Sequence, residues 1–158
     1  MDINKVRFAL ARTDSEFKAG KILFKEYSDS LKFSLDFQDF EKEMQSVPEK
    51  YGAPAGALLL CYYEDLAVGC VGVRSLEEGI AEIKRLYVKP EYRSLKLGKQ
   101  LMVLAVDAAK DLGYAFIRLD SVREMKAAVS LYEKMGFYEI EAYCYNPLEN
   151  PVYMEKAL

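Results

Sequence analysis

The central part of the sequence, from Gly56 to Leu112, changes its hydrophobic periodicity part-way, and this change limits the folds the chain can adopt. Three short apolar runs come first, GALLLCYY, LAVGCVGVR and IAEIKRLYV, separated by Glu64-Asp65 and by Glu77-Glu78-Gly79. Runs joined by such short polar connections predict an antiparallel meander of three strands. Apolar residues then recur at helical spacing up to Leu112, and Gly113 is a natural residue to end that helix.

The flanking segments predict further elements. A first strand is expected in KVRFALA, followed by a helix that a capping box, Thr13-Asp14-Ser15-Glu16, opens. A second helix is expected from about Asp36 to Ser46, stopped by Pro48. YAFIRLD predicts a buried strand.

The last third of the chain predicts one more helix and two strands. A second capping box, Ser121-Val122-Arg123-Glu124, is expected to open a helix that ends at Gly136. The segments FYEIEAYCY and PVYMEKAL are expected to form two strands that pair with each other. The segment order predicts one α/β domain over residues 1–158, without linker or repeat.

Composition excludes several classes of protein. The net charge of −3, with basic residues not gathered into one stripe, argues against a nucleic-acid partner. The longest apolar run has nine residues, Ala55 to Tyr63, too few for a membrane helix. No histidine is present, which removes the commonest general base and zinc ligand, so no metal is expected. Three cysteines without CxxC spacing, and no signal peptide, favour a cytoplasmic location.

A basic turn joins the third strand of the meander to the long helix. Within YVKPEYRSLKLGKQLM, four basic residues surround the junction: Lys89, Arg93, Lys96 and Lys99. The first backbone N–H groups of a helix lack intrahelical partners and attract anions, so a pyrophosphate is one candidate ligand. A solvated basic face is the other interpretation of the same residues.

Two motifs together resemble those of the GCN5-related N-acetyltransferase (GNAT) superfamily. AEIKRLYVKPEYRSLKLGKQLM resembles its motif A, in which a strand runs into an R/Q-x-x-G-x-G/A turn, with Arg93 and Gly98 at the first and last positions. AAVSLYEKMGF, Ala127 to Phe137, resembles the motif B helix. The two are about 34 residues apart, counted from Gly98 to Tyr132, and the resemblance covers nearly the whole chain.

The resemblance implies a fold and a reaction. The fold is a GNAT-like acyl-CoA N-acyltransferase fold, with a mixed, mostly antiparallel sheet of six to seven strands and about four helices. The reaction is acetyl transfer from acetyl-CoA to an amine of a small molecule or an exposed peptide, by direct attack. Leu86, Tyr87 and Val88 are expected beside the thioester and pantetheine. The expected pyrophosphate turn comprises Arg93, Ser94, Leu95, Lys96, Leu97, Gly98 and Lys99.

Two catalytic candidates follow from the resemblance. Tyr132 matches the helix tyrosine that protonates the departing thiolate, although a tyrosine on an apolar helix face is also ordinary core. Glu82 stands eleven residues before Arg93, where one branch of the superfamily has its catalytic base. A surface glutamate paired with Lys84, with a water chain in place of a base, is the alternative.

Two residues depart from the family pattern. Lys96 stands where the turn's first glycine belongs, and a positive φ there would cost roughly 1–2 kcal/mol. Met125 stands where many relatives have an asparagine that binds pantetheine. A non-catalytic acyl-CoA-binding module of the same fold is therefore the alternative function, and a domain that binds partner proteins without a cofactor is a further one.

Two segments are candidates for acceptor recognition. LKFSLDFQDFEKEM, Leu31 to Met44, combines three aromatic residues with four acidic ones, which suits either a cationic amine or an amphipathic helix with a solvated acidic face. In YCYNP, the candidate contacts are Tyr143, Tyr145 and Asn146. A homodimer through the C-terminal strands is a further expectation from the family.

Overall fold

A computed structural model of the chain describes residues 1–32, 34 and 39–158. Its seven strands form one sheet in the order β1-β2-β3-β4-β5-β7-β6. The strands are β1 Val6–Leu10, β2 Ala57–Tyr63, β3 Leu66–Glu77, β4 Ile80–Val88, β5 Phe116–Val122, β6 Tyr138–Ile140 and β7 Pro151–Ala157. All neighbours run antiparallel except β4 and β5. This mixed α/β architecture is the expected one, with seven strands.

Five α-helices lie on the sheet within the described residues. They are α1 Asp14–Ser30, α2 Phe40–Met44, α3 Val47–Lys50, α4 Leu97–Asp111 and α5 Lys126–Lys134. Two 3₁₀ helices, Ile3–Lys5 and Pro90–Leu95, precede β1 and α4. The helix count exceeds the expected four because α2 and α3 are short, separate helices. No helix in the described ranges is long and apolar enough to cross a membrane.

The central strands are buried on both faces, which explains the apolar runs. On one face, α4 and α5 pack against side chains such as Val71, Ile83 and Leu119. On the other face, α1, α2 and α3 cover side chains such as Leu60 and Tyr87. Residues of β2 alternate between these two clusters, so both sets of its side chains contribute to hydrophobic burial.

The two predicted capping boxes have opposite outcomes. The capping box at Thr13 is confirmed, since Thr13 accepts a hydrogen bond from the Glu16 N–H and the Glu16 carboxylate accepts one in return. The second capping box is wrong: Ser121 and Val122 belong to β5, and α5 begins at Lys126 without a side-chain cap. Pairing of β5 with β7 takes up these residues and overrides the local capping signal.

The prediction for the second helix is wrong at its end. Pro48 does not stop a helix that runs to Ser46; it lies in the first turn of α3, where its missing N–H costs nothing. The expected start, Asp36, lies outside the described residues. In the tail, the pairing of the last two strands is confirmed, but β6 has three residues and β7 also pairs with β5.

The parallel strands β4 and β5 separate after a short stretch of pairing. Their register covers Ile80, Ala81 and Glu82 of β4, whereas β4 continues to Val88. β5 pairs with β7 along its whole length, and its residues beyond Arg118 have no partner in β4. Within the described chain, the rest of β4 therefore faces an opening in the sheet, which we call the β4–β5 gap.

Candidate active site

The β4–β5 gap ends at the basic turn. There the chain forms the 3₁₀ helix Pro90–Leu95, passes Lys96 and enters α4. Nε of Arg93 donates a hydrogen bond of 2.9 Å to the Val88 carbonyl, which fixes the turn to the end of β4. Lys96 has φ 55° and ψ 36°, the left-handed conformation in which a glycine would be unstrained.

The start of α4 is open to an anion. No side chain caps the helix, so no capping side chain accepts a hydrogen bond from its first backbone N–H groups. A Cβ added to Gly98 would meet no atom within 4 Å, so this glycine is not required by packing inside the protein. Lys96, Lys99 and Arg93 are exposed around it. Exposed N–H groups, a small residue and three cations are the features that a pyrophosphate requires.

The three β4 residues expected beside the pantetheine lie along the gap. The side chains of Tyr87 and Val88 are buried on opposite faces of the sheet, in the two hydrophobic clusters, and Leu86 is half-buried. The Tyr87 hydroxyl donates to Glu26 of α1 at 2.9 Å, and Lys89 makes an ion pair with the same carboxylate at 2.7 Å. This cluster holds α1 against the end of β4.

Tyr132 lies on α5, in the same hydrophobic cluster as Val88 of β4. It is 9% exposed, and its ring lies 6.1 Å from that of Phe137. Burial, with a smaller contribution from Tyr27, raises the pKa of Tyr132 to about 12. Its hydroxyl forms no hydrogen bond with the described residues.

Glu82 is buried, which contradicts its interpretation as a surface glutamate. It is 1% exposed; Oε1 accepts a hydrogen bond from Arg74 Nε at 3.1 Å, and Oε2 accepts one from the Tyr143 hydroxyl at 2.9 Å. Lys84 Nζ lies 3.8 Å from Oε2. Burial and the neighbouring Glu82 and Asp120 charges raise the pKa of Tyr143, so this phenol stays a hydrogen-bond donor.

Asp120 is a residue of this site that sequence reasoning missed. It lies on β5 beyond the last pair with β4, and Lys84 Nζ is 3.8 Å from its Oδ1. Asn146 donates to its Oδ2 at 3.1 Å. Asp120 ends the predicted strand YAFIRLD, but no sequence signal indicates that it lies near Lys84. The contact follows from the strand register, since Lys84 and Asp120 each lie two residues beyond the last β4–β5 pair, Glu82 with Arg118.

Among the described residues, Glu82, Asp120 and Cys144 form a group with ligand atoms within 4.8 Å of one another. The Lys84 ammonium already supplies a positive charge between the two carboxylates. Burial raises the pKa of Cys144 to about 11, so the thiol is protonated at neutral pH. The group is therefore better described as an ion-pair network.

Of the acceptor segment, residues 31–44, the structure describes 31–32, 34 and 39–44. Phe33, Asp36 and Phe37 lie outside the described residues. Phe40 and Glu43 are buried, whereas Asp39 and Glu41 are exposed. Glu43 forms an ion pair with Arg85 of β4 at 2.9 Å, so the charge of this acidic residue is paired inside the protein. In YCYNP, Tyr143 and Asn146 reach the two carboxylates, and Tyr145 is exposed.

Comparison with known proteins agrees with this geometry. The sequence model of the acetyltransferase (GNAT) family matches residues 21–137. The chain belongs to the GNAT family. An uncharacterized N-acetyltransferase of Schizosaccharomyces pombe is 40% identical over 136 residues, covering 85% of this chain and 83% of the relative. As a GNAT protein, the chain is an acyltransferase.

Solved structures share the GNAT fold. An acetyltransferase of Streptococcus agalactiae has a TM-score of 0.78 at 18% identity, over 99% of this chain and 100% of the other. The protein yncA of Salmonella typhimurium, solved with its cofactor acetyl-CoA, has a TM-score of 0.70 at 13% identity, over 98% and 94% of the two chains. The GNAT match includes the basic turn, the gap and Tyr132.

Proposed function

We propose that this protein transfers the acetyl group of acetyl-CoA to a primary amine of a small molecule or an exposed peptide, by direct attack. The β4–β5 gap carries the proposal, because the β4 edge that faces β5 has no strand partner from Ile83 onward and the gap ends at an uncapped helix start. An extended thioester arm ending in a pyrophosphate fits such a groove. A cytoplasmic location and a homodimer remain predictions of this proposal.

The residues at the turn would hold the acetyl-CoA diphosphate. The backbone N–H groups from Leu97 to Lys99 would donate to its oxygens, with added charge from Arg93, Lys96 and Lys99. Along β4, the backbone of Leu86, Tyr87 and Val88 would pair with the pantetheine amides, as a strand does with an extended peptide. Met125, at the start of α5, is exposed and contributes no amide to that binding.

Tyr132 would serve as the general acid. A buried phenol with a pKa of about 12 is protonated throughout the physiological range, and a thiolate that leaves the acetyl carbon needs one proton. Glu82 would contribute a fixed negative charge at the acceptor end. Both of its oxygens already accept hydrogen bonds, from Arg74 and Tyr143, so it would act on the acceptor electrostatically or through water.

Titration calorimetry with acetyl-CoA, with dephospho-CoA and adenosine as controls, is the first test. We expect micromolar binding that requires the diphosphate. A panel of primary amines, assayed by release of the CoA thiol, would then identify acceptors. Tyr132→Phe should lower kcat by one to three orders of magnitude and leave acetyl-CoA affinity nearly unchanged. No binding at millimolar acetyl-CoA, or no turnover with any amine, would contradict the proposed function.

A further inference from the structure

Lys84 and Asp120 face each other across the β4–β5 gap with unused hydrogen-bonding capacity. Their side chains are 10% and 7% exposed, and Nζ is 3.8 Å from Oδ1, longer than a hydrogen bond. Within the described part of the chain, Lys84 Nζ makes no hydrogen bond, and Asp120 Oδ1 accepts none. Both groups can therefore still form hydrogen bonds with a polar atom of a ligand that enters the gap.

Glu82 differs from Asp120 in this respect. Its two oxygens are both engaged, Oε1 by Arg74 and Oε2 by Tyr143. Asp120 has one oxygen engaged by a neutral amide, that of Asn146, and the other open toward the gap. Asp120 is thus the carboxylate of this pair with an oxygen available to a substrate.

The strand register explains why Lys84 and Asp120 meet at this point. Each lies two residues beyond the last β4–β5 pair, Glu82 with Arg118, so the two side chains flank the start of the gap.

We propose that Asp120 accepts the proton of the acceptor ammonium and that Lys84 promotes its release. This inference rests on the proposed acetyl transfer. The ammonium would donate to Oδ1 of Asp120, and the adjacent Lys84 charge would disfavour a second cation there, so the acceptor nitrogen loses a proton to Oδ1. Glu82, whose Oε2 lies 3.8 Å from Lys84 Nζ, keeps Lys84 in place in addition to contributing its own charge at the acceptor end.

The proton balance is complete with these two side chains. One ammonium proton moves to Asp120, which passes it to water. The nitrogen lone pair forms the bond to the acetyl carbon, the carbon–sulfur bond breaks, and the thiolate takes the Tyr132 proton. A second proton from nitrogen restores the Tyr132 phenol, and the third stays on the amide product.

Two small probe nucleophiles of similar size test the assignment. Ethylamine is almost wholly protonated at pH 7, and O-methylhydroxylamine is almost wholly neutral. Asp120→Asn keeps the shape of the side chain and the contact with Asn146. We expect this variant to lose about 100-fold in kcat/KM with ethylamine and less than about tenfold with O-methylhydroxylamine. Asp120→Glu, which restores a carboxylate, should recover part of the ethylamine activity.

Acetyl-CoA affinity of each variant is the control for folding. Equal losses with both nucleophiles, or no loss with ethylamine, would overturn the role of Asp120 while wild-type turnover still supports acetyl transfer. No wild-type turnover with either nucleophile or any amine of the panel would overturn both. If Asp120→Asn fails to bind acetyl-CoA, Lys84→Met decides: a lower kcat and a lower KM for ethylamine support the inference, and unchanged constants overturn it.

Discussion

Nε of Arg85 donates a hydrogen bond of 2.9 Å to Oε2 of Glu43, and both side chains are almost fully buried. The contact joins α2 to β4 at a residue with φ 62°, where the pairing of β3 with β4 is irregular. The other Glu43 oxygen accepts from the Tyr51 hydroxyl at 2.9 Å, and burial raises the pKa of Tyr51. The pair thus fixes the backbone next to Lys84.

Glu43→Gln should be strongly destabilising. The substitution keeps the side-chain shape but removes the carboxylate charge from a buried guanidinium, and breaking such pairs costs about 3–5 kcal/mol. Urea denaturation would measure the free energy of unfolding. Tyr51→Phe is the matched control, because it removes one hydrogen bond to the same carboxylate and should cost about 1–3 kcal/mol. A loss below that of Tyr51→Phe would show that the ion pair contributes little.

Gly98→Asp should abolish acetyl-CoA binding without unfolding the protein. The new carboxylate would repel the diphosphate and occupy its place at the helix start, whereas the space around this residue is open in the fold. Gly98→Ala is the control, since its methyl group meets no protein atom within 4 Å. Titration of both variants with acetyl-CoA separates the effect of the added charge from the effect of the added bulk. Undiminished binding by Gly98→Asp would place the diphosphate elsewhere.

Lys96→Gly should stabilise the turn and keep most of the affinity for acetyl-CoA. Lys96 has φ 55°, a conformation that costs an L-residue roughly 1–2 kcal/mol, although glycine's greater entropy in the unfolded chain offsets part of the gain. We expect affinity within about tenfold of wild type, because the backbone N–H groups remain. Complete loss of binding would mean that the lysine side chain, rather than the backbone, holds the diphosphate.

Tyr132 should make stability fall at alkaline pH. Its pKa is about 12 in the folded protein against the ordinary tyrosine value of 10.0, so between these values the folded chain retains a proton that the unfolded chain loses. Stability from this group is complete below about pH 10 and decreases above it, by at most about 1.4 kcal/mol per pH unit. Denaturation curves of Tyr132→Phe should therefore fall less steeply with pH than those of wild type. If the stability of the variant and of wild type fell equally with pH, the raised pKa of Tyr132 would be contradicted.

Much of the fold follows from local sequence signals. The meander of β2, β3 and β4, helix α1 with its capping box and helix α4 were predictable because their periodicity and caps agree with their final packing. Two elements were mistaken where tertiary contacts prevail. Pairing with β7 holds Ser121 and Val122 in β5, and Pro48 begins a helix instead of ending one.

Some features of the candidate site were likewise predictable from the sequence, and others were not. The basic turn and Tyr132 follow from contiguous motifs, since each depends on a strand–turn–helix junction or a single helix face. The chain's own sequence also determines that Lys96 replaces a glycine. Only the structure shows that the backbone of Lys96 is in the left-handed conformation and that Gly98 lies beside open space.

The tertiary structure alone decided what surrounds the two carboxylates. Glu82 comes from β4, Asp120 from β5, and their partners Tyr143 and Asn146 from the segment before β7. These residues are distant in sequence, and their contacts depend on where β4 and β5 diverge. Periodicity indicates which residues share a face of one element, whereas the burial and hydrogen bonding of a charge depend on the elements that pack around it.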